Sequence, residues 1–292
     1  MENIKICEIC GLCNGCLTAI NTAKAELNNG NKVTLFKEIV HNKTVNNTLK
    51  NLGANFTEDI NEIKPDTVAI IRAHGEPPQT FEYLNKHNIK FKDCTCVNVK
   101  KIHNLTQEYM LNGYKIIIIG KQTHPEVIAT QGWCLNAGII IESEDDLSKL
   151  INIKNEKFYL VCQTTFNINK FEELSKKVQQ ILEKNNCELI VQNTICYAQK
   201  IINDKSVELA KNCDVMIVVG GKNSSNTKEL FKNVSSYCPS IFIEDINSFS
   251  EELKNNNIEI NKNTLIGITA GASTLKEELT QLKQLIINYL NK

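Results

Sequence analysis

Twelve cysteines stand in a chain of 292 residues. Thiolates bind soft metals and carry redox chemistry, and in a reducing compartment so many are poor candidates for structural disulfides. Cys13 (Gly11-Leu-Cys13-Asn-Gly15), Cys96 (Asp93-Cys-Thr-Cys96) and Cys196 (Asn193-Thr-Ile-Cys196) each precede a helical stretch and lie far apart along the chain. Three thiolates are one short of the four that usually hold a 4Fe–4S cluster. Such a set would leave one iron open, by the logic that separates open catalytic metal sites from closed structural ones. Cys162, Cys187, Cys213 and Cys238 read as small buried hydrophobes, and Cys134 has no evident partner. Cys7, Cys10, Cys13 and Cys16 recur every third residue, a spacing with a superficial likeness to a ferredoxin run. Cys7 closes the first expected strand and Cys16 falls in the following helix, so those four sulfurs would need an irregular loop to converge. A second metal site there and a set of unrelated thiols both remain open.

Polar side chains of a second kind suit an anion. His41, His74 and His124 follow expected strands or lie in turns with polar neighbours. An imidazole is cationic or a neutral donor as its surroundings dictate, which fits a phosphate. His87 and His103 fall inside helical stretches and read as surface or packing residues. Ser224-Ser225-Asn226 and Ser273 each stand between a strand and a helix, where free backbone N–H groups and small hydroxyls bind anions. Simple N-capping would use the same residues. Thr274 and Glu277 have capping-box spacing, so a helix is expected to start there.

The elements that must position these residues are legible as short apolar runs, each followed by a polar turn and a helical stretch. Val68–Ile71, Lys115–Ile119, 158–161, Val215–Val219 and 265–268 are continuous runs rich in Val and Ile, the pattern of strands buried on both faces of a parallel sheet. Residues 171–184 and Lys276–Leu290 carry apolar residues at helical spacing. Alternating strands and helices imply an α/β protein. Polar residues gather where the strands end, which is where open α/β sheets bind ligands.

Composition narrows the partners. Basic and acidic residues number 33 each, so nothing advertises nucleic acid or an anionic membrane. The N-terminus lacks a basic segment followed by an apolar one, and no apolar run approaches the roughly 18–20 residues of a membrane span. The expected location is the cytoplasm.

Gly11-Leu-Cys13-Asn-Gly15, His41-Asn42, Arg72-Ala-His74-Gly75, Thr95-Cys96, His124-Pro-Glu126-Val127, Gln163-Thr164-Thr165, Ile195-Cys196, Asn223-Ser-Ser-Asn226 and Thr269-Ala-Gly-Ala-Ser273 follow one another over about residues 11 to 273. In order and spacing this set resembles the LytB reductases. The resemblance implies three similar α/β lobes with mostly parallel sheets around a central iron–sulfur site. The expected boundaries are 1–96, 97–193 and 194–268, with 269–292 packing back on the first lobe. It implies a 4Fe–4S cluster on Cys13, Cys96 and Cys196. It implies that His41, His74, His124, Ser224, Ser225, Asn226 and Ser273 bind a diphosphate, that Thr164 contacts the hydroxyl end of the substrate, and that Glu126 supplies protons. The implied reaction is reductive dehydroxylation of 4-hydroxy-3-methylbut-2-enyl diphosphate to isopentenyl and dimethylallyl diphosphate, the last step of the non-mevalonate isoprenoid pathway. A ferredoxin or flavodoxin would deliver the electrons.

The chain departs from the family at Thr18, where arginine is usual, at Lys121, which replaces a frequent histidine, and over 199–203 after the third cysteine. None of these removes a proposed ligand or diphosphate contact, although they touch the support around a cluster. Two alternatives follow: a LytB-like paralogue reducing another anionic substrate, and a non-catalytic iron–sulfur carrier or zinc-stabilised scaffold. A carrier has no use for His124, Glu126 or Thr164.

Overall fold

In the computed structural model, residues 3–40, 43–271 and 274–291 are described. The chain begins β1 (Ile4–Ile6), α1 (Asn14–Asn28), β2 (Val33–Phe36), α2 (Lys43–Asn51), β3 (Asn55–Thr57), β4 (Val68–Ile71), α3 (Pro78–Lys86) and β5 (Lys90–Asp93). It continues through α4 (Val97–Leu111), β6 (Lys115–Ile119), α5 (Pro125–Trp133), β7 (Ile139–Ile141), β8 (Lys157–Cys162), α6 (Ile168–Lys184) and β9 (Glu188–Val191). The last part comprises α7 (Tyr197–Ala210), β10 (Val215–Val219), α8 (Ser225–Ser235), β11 (Ser240–Ile243), α9 (Phe249–Asn255), β12 (Ile266–Ala270) and α10 (Lys276–Leu290). No described helix is long and apolar enough to cross a membrane.

The strands form three parallel sheets of four strands, ordered β3-β2-β4-β5, β7-β6-β8-β9 and β1-β12-β10-β11. Read from β11, the third sheet repeats the order of the other two, with β1 in the place of the fourth strand. The lobes are therefore similar, but the expected start of the first lobe at residue 1 needs correction. Ile4, Lys5 and Ile6 pair with Ile266, Gly267 and Ile268, which puts the N-terminal strand in the third sheet. Three residues with a lysine between two isoleucines are too short a signal to reveal that partner.

Two compact units divide the chain: Met1–Leu17, Val40–Asn51 and Tyr197–Lys292 in the first, and Thr18–Ile39 and Leu52–Cys196 in the second. The first contains the third sheet, and the second contains the other two. Helices cover the buried central strands. Phe171, Leu174, Val178 and Leu182 of α6, at spacings of three and four, pack against Ile117, Ile119, Phe158 and Leu160. The Asn167 side chain caps that helix by accepting from the Lys170 N–H at 3.0 Å. In the first unit, Leu279, Leu282 and Ile286 of α10 pack on Ile266, Ile268 and Ile217.

The repeated order makes the positions of the polar loops equivalent. In each sheet the two central strands run into loops at a topological switch point, the usual ligand position of an open α/β sheet. His74 follows β4, His124 and Glu126 follow β6, Thr164 follows β8, and Ser224 and Asn226 follow β10. The three cysteines of the family pattern follow the edge strand beside β4, β8 and β12 in each sheet: Cys13 after β1, Cys96 after β5 and Cys196 after β9.

Candidate active site

The second unit holds the best-defined chemistry. Glu126 is 2% exposed in the first turn of α5. Its Oε1 accepts from the Thr164 N–H at 2.6 Å and its Oε2 from the Thr164 hydroxyl at 2.7 Å. Burial pushes its carboxyl up to about 7, against the pull of those two hydrogen bonds. Desolvation wins because a carboxylate in a dry pocket forfeits its hydration, and Thr164 restores only part of it.

His124 is the N-cap of α5, with Pro125 at the first helical position. Its Nδ1 accepts from the Glu126 N–H at 3.2 Å, which places the proton of the neutral ring on Nε2. The ring meets His74 edge to face, with centroids 5.5 Å apart. The loops after β6 and β8 are tied together by Gln163, whose Oε1 accepts from the Lys121 N–H at 3.0 Å and whose Nε2 donates to Thr165 Oγ1 at 2.6 Å.

His74 is aimed by a tight turn. The Gly75 N–H donates to the Arg72 carbonyl at 3.1 Å, with Gly75 at φ +76°. A Cβ there would lie 2.6 Å from His103 Cε1, so the turn admits only glycine. Glu76, 2% exposed, takes Lys37 Nζ at 2.7 Å on one oxygen and Arg72 Nε at 3.3 Å on the other. Its carbonyl accepts from Trp133 Nε1 at 3.1 Å, which joins the first two lobes. Trp133 stacks on His103 at 5.3 Å, and His103 is buried as a packing residue. His87 is exposed at the end of α3 and bonds the Tyr83 carbonyl, also away from the site.

Cys96 is the N-cap of α4, and its N–H donates to the Ala73 carbonyl at 2.9 Å. Cys196 is held by its N–H donating to the Thr164 carbonyl at 2.7 Å. Asn98, in the first turn of α4, donates from Nδ2 to Cys196 Sγ at 3.4 Å. The thiol before α7 is thus contacted from the start of α4, and its backbone adjoins Thr164, the partner of Glu126. Thr194 supports this loop, accepting from the Cys162 N–H at 2.8 Å. Asn98, Thr194 and Glu76 were not among the expected site residues, because their partners are distant in sequence.

In the first unit, Cys13 directly precedes α1. Gly11 (φ +84°) lets the preceding loop approach Thr274, whose carbonyl would lie 2.8 Å from a Cβ. The Leu12 N–H donates to that carbonyl at 2.9 Å. A hydrogen bond from Cys16 and backbone N–H groups of Gly15 and Cys16 hold the Cys13 thiol down at about 6 despite burial. Ser224 caps α8, accepting from the Thr227 N–H at 3.3 Å, which leaves its own hydrogen to donate. Asn226 Oδ1 is buried with no hydrogen-bond partner among the described residues. Only the helical backbone of Ser225 is described, and His41 and Ser273 lie outside the described residues.

Some expectations need correction. Thr274 is not a capping-box residue: α10 starts at Lys276 behind Leu275 without a side-chain cap, and Thr274 Oγ1 donates to the Val219 carbonyl at 3.2 Å. Tertiary bonding to the β10 end outcompetes the local cap. Cys134 does have partners, with Sγ 3.3 Å from the Gln131 carbonyl and 3.5 Å from that of Thr130. Cys162 is buried, whereas Cys187, Cys213 and Cys238 are partly exposed and pack against apolar clusters. Among the described residues no group of three Cys, His, Asp or Glu side chains is arranged to hold a metal ion.

Comparison with known proteins gives a consistent family. The family model described as "LytB protein" matches residues 4–287. The chain is 36% identical over 288 residues to the 4-hydroxy-3-methylbut-2-enyl diphosphate reductase of Clostridioides difficile, covering 97% of this chain and 100% of that protein. It is 35% identical to the enzyme of the same name from Aquifex aeolicus, covering 98% and 96%. A solved structure of (E)-4-hydroxy-3-methyl-but-2-enyl diphosphate reductase aligns with a TM-score of 0.75 at 33% identity, covering 98% of this chain and 99% of that one. The Plasmodium falciparum reductase structure aligns with a TM-score of 0.83 at 30% identity, covering 97% and 87%.

Proposed function

The chain belongs to the LytB family, and we propose that it converts 4-hydroxy-3-methylbut-2-enyl diphosphate to isopentenyl and dimethylallyl diphosphate by reductive dehydroxylation. The carbon–oxygen bond of an allylic alcohol is cleaved, the oxygen leaves as water, and two electrons and two protons are consumed. The Glu126–Thr164 pair is the observation that carries this reading, because it stores a proton in a dry pocket beside a hydroxyl relay.

The donor set suits a 4Fe–4S cluster on Cys13, Cys96 and Cys196. Each thiol follows the equivalent strand of its sheet and stands at a helix start, and each is less buried than Cys134 or Cys162. Such a cluster, when bound, supplies single electrons and Lewis-acid character at the iron that lacks a protein thiolate.

The remaining work falls to the chain. With a carboxyl titrating at about 7, Glu126 is partly protonated at neutral pH and can give up that proton. The Thr164 hydroxyl donates to the ionised Glu126. When Glu126 is protonated that one bond reverses, the Glu126 O–H donates to Thr164 Oγ1, and the Thr164 hydroxyl passes its own hydrogen to the leaving oxygen. His124, with its proton on Nε2, and His74 are suited to a diphosphate, as are the Ser224 hydroxyl and the Asn226 amide at the α8 start. His41, Ser225 and Ser273 complete the proposed set by family pattern. A ferredoxin or flavodoxin in the cytoplasm is the proposed donor.

Anaerobic iron analysis and turnover of single variants test this assignment. Cys13→Ser, Cys96→Ser and Cys196→Ser are expected to lose iron and product formation, whereas Cys134→Ser keeps both. Full iron and turnover in any of the first three would remove that residue from the ligand set.

A further inference from the structure

Two thiols of the first unit lie outside the proposed ligand set yet are arranged for chemistry. Cys7 follows β1 and Cys10 follows it by three residues, each 6% exposed. The Cys10 thiol donates to the Cys7 carbonyl at 3.1 Å, and Cys7 Sγ lies 3.5 Å from the Ile9 carbonyl. From the other side, Ser206 Oγ of α7 lies 3.7 Å from Cys7 Sγ and 2.6 Å from Thr269 Oγ1 of β12. A buried chain of hydroxyls therefore ends on one sulfur. Cys7 also lines a cavity of about 690 Å³ whose wall includes Glu8, Lys205, Glu208 and Lys283.

Neither Cys134 nor Cys162 combines these features. Cys134 faces carbonyl and amide oxygens of its own helix, and Cys162 is enclosed by apolar side chains. Burial pushes both thiols up. Hydrogen bonds, first from Cys10 and then from Ser206, hold Cys7 down at about 6, while Cys10 is pushed up by its bond to Cys7 and by burial. An unequal pair of this kind provides one attacking thiolate and one resolving thiol. The mixed lysine and glutamate wall suits a small zwitterionic partner.

We propose that Cys7 and Cys10 form a redox-active dithiol that exchanges with small zwitterionic disulfides entering this cavity. The Cys7 thiolate attacks one sulfur of the disulfide, forming a mixed disulfide and expelling one thiolate, which is protonated. Cys10 loses its proton and attacks the Cys7 sulfur, closing the Cys7–Cys10 bond and expelling the second thiol. The protein is oxidised by two electrons, and one disulfide becomes two thiols. Gly11, next to Cys10, is bonded to the Ala270 carbonyl, so closure of the bond acts on the loop that leads to Cys13.

The test uses the full-length, cluster-loaded protein under anaerobic conditions with glutathione disulfide as the probe, followed by alkylation and tandem mass spectrometry. Wild-type protein is expected to form the Cys7–Cys10 bond, with two hydrogens lost and neither residue alkylated. Cys10→Ser should stop at a glutathionyl group on Cys7, and Cys7→Ser should form neither product. Ser206→Ala should shift the pH profile of the exchange rate upward. In native wild-type protein, iodoacetamide should label Cys7 at least about tenfold faster than Cys162. Equal labelling of Cys7 and Cys162, or no glutathionyl group on Cys7 in folded Cys10→Ser, would overturn the proposal.

Discussion

Thr164 satisfies both carboxylate oxygens of Glu126, with its N–H at 2.6 Å and its hydroxyl at 2.7 Å. The acid and its only described hydrogen-bond donor for those oxygens come from loops after neighbouring strands β6 and β8. Their register is set by a sheet rather than by a flexible contact. The same Thr164 holds Cys196 through its carbonyl.

Replacing Glu126 by Gln removes the titrating proton but keeps the volume. Turnover is expected to fall by about 10²–10⁴-fold, the usual contribution of a positioned acid. Iron content should be unchanged, so parallel loss of iron and activity would assign Glu126 a structural role.

Thr164→Val removes one of the two hydrogen bonds that oppose the effect of burial. The carboxyl then titrates higher than about 7. Because the protonated form is the donor, the alkaline fall of kcat should move to higher pH even as its plateau drops. An unmoved alkaline limb would dissociate that limb from Glu126.

The same group makes stability depend on pH. A carboxyl raised from its ordinary value to about 7 in the folded state contributes stability that is present at low pH and lost as pH rises through 7. Glu126→Gln should therefore flatten the unfolding free energy between about pH 5 and 7, by an amount on the order of a few kcal/mol. Denaturant melts across that range measure it, and parallel curves for the two proteins would contradict the assignment.

The Gly75 turn gives a packing prediction. Gly75→Ala places a methyl 2.6 Å from His103 Cε1 in a left-handed backbone conformation, at a cost of about 2–3 kcal/mol. Adding His103→Ala should recover part of that loss, because the two changes share one space. Strict additivity in thermal melts would show that backbone strain alone is responsible.

Much of this arrangement was legible in the residues. Val68–Ile71, Lys115–Ile119 and Val215–Val219 are strands as expected, since continuous β-branched runs suit central parallel strands buried on both faces. Edge strands such as Lys90–Asp93 and Glu188–Val191 carry charges on partly exposed positions and gave no comparable signal. Glu76 pairs with Lys37 across 39 residues, and Asn98 reaches Cys196 across 98, so neither contact has a local signature. Cys16 beside Cys13 follows from helix geometry at that spacing, but which of the two serves a metal does not. In the third sheet only the fourth strand escaped, because it comes from the other end of the chain.

The most direct measurement is anaerobic incubation of the purified, cluster-loaded protein with 4-hydroxy-3-methylbut-2-enyl diphosphate and a strong one-electron donor, with the products separated and quantified. Formation of both isopentenyl and dimethylallyl diphosphate is the expected result. No product from protein with full iron and sulfide content would contradict the assigned substrate and direct the search to other anionic allylic alcohols.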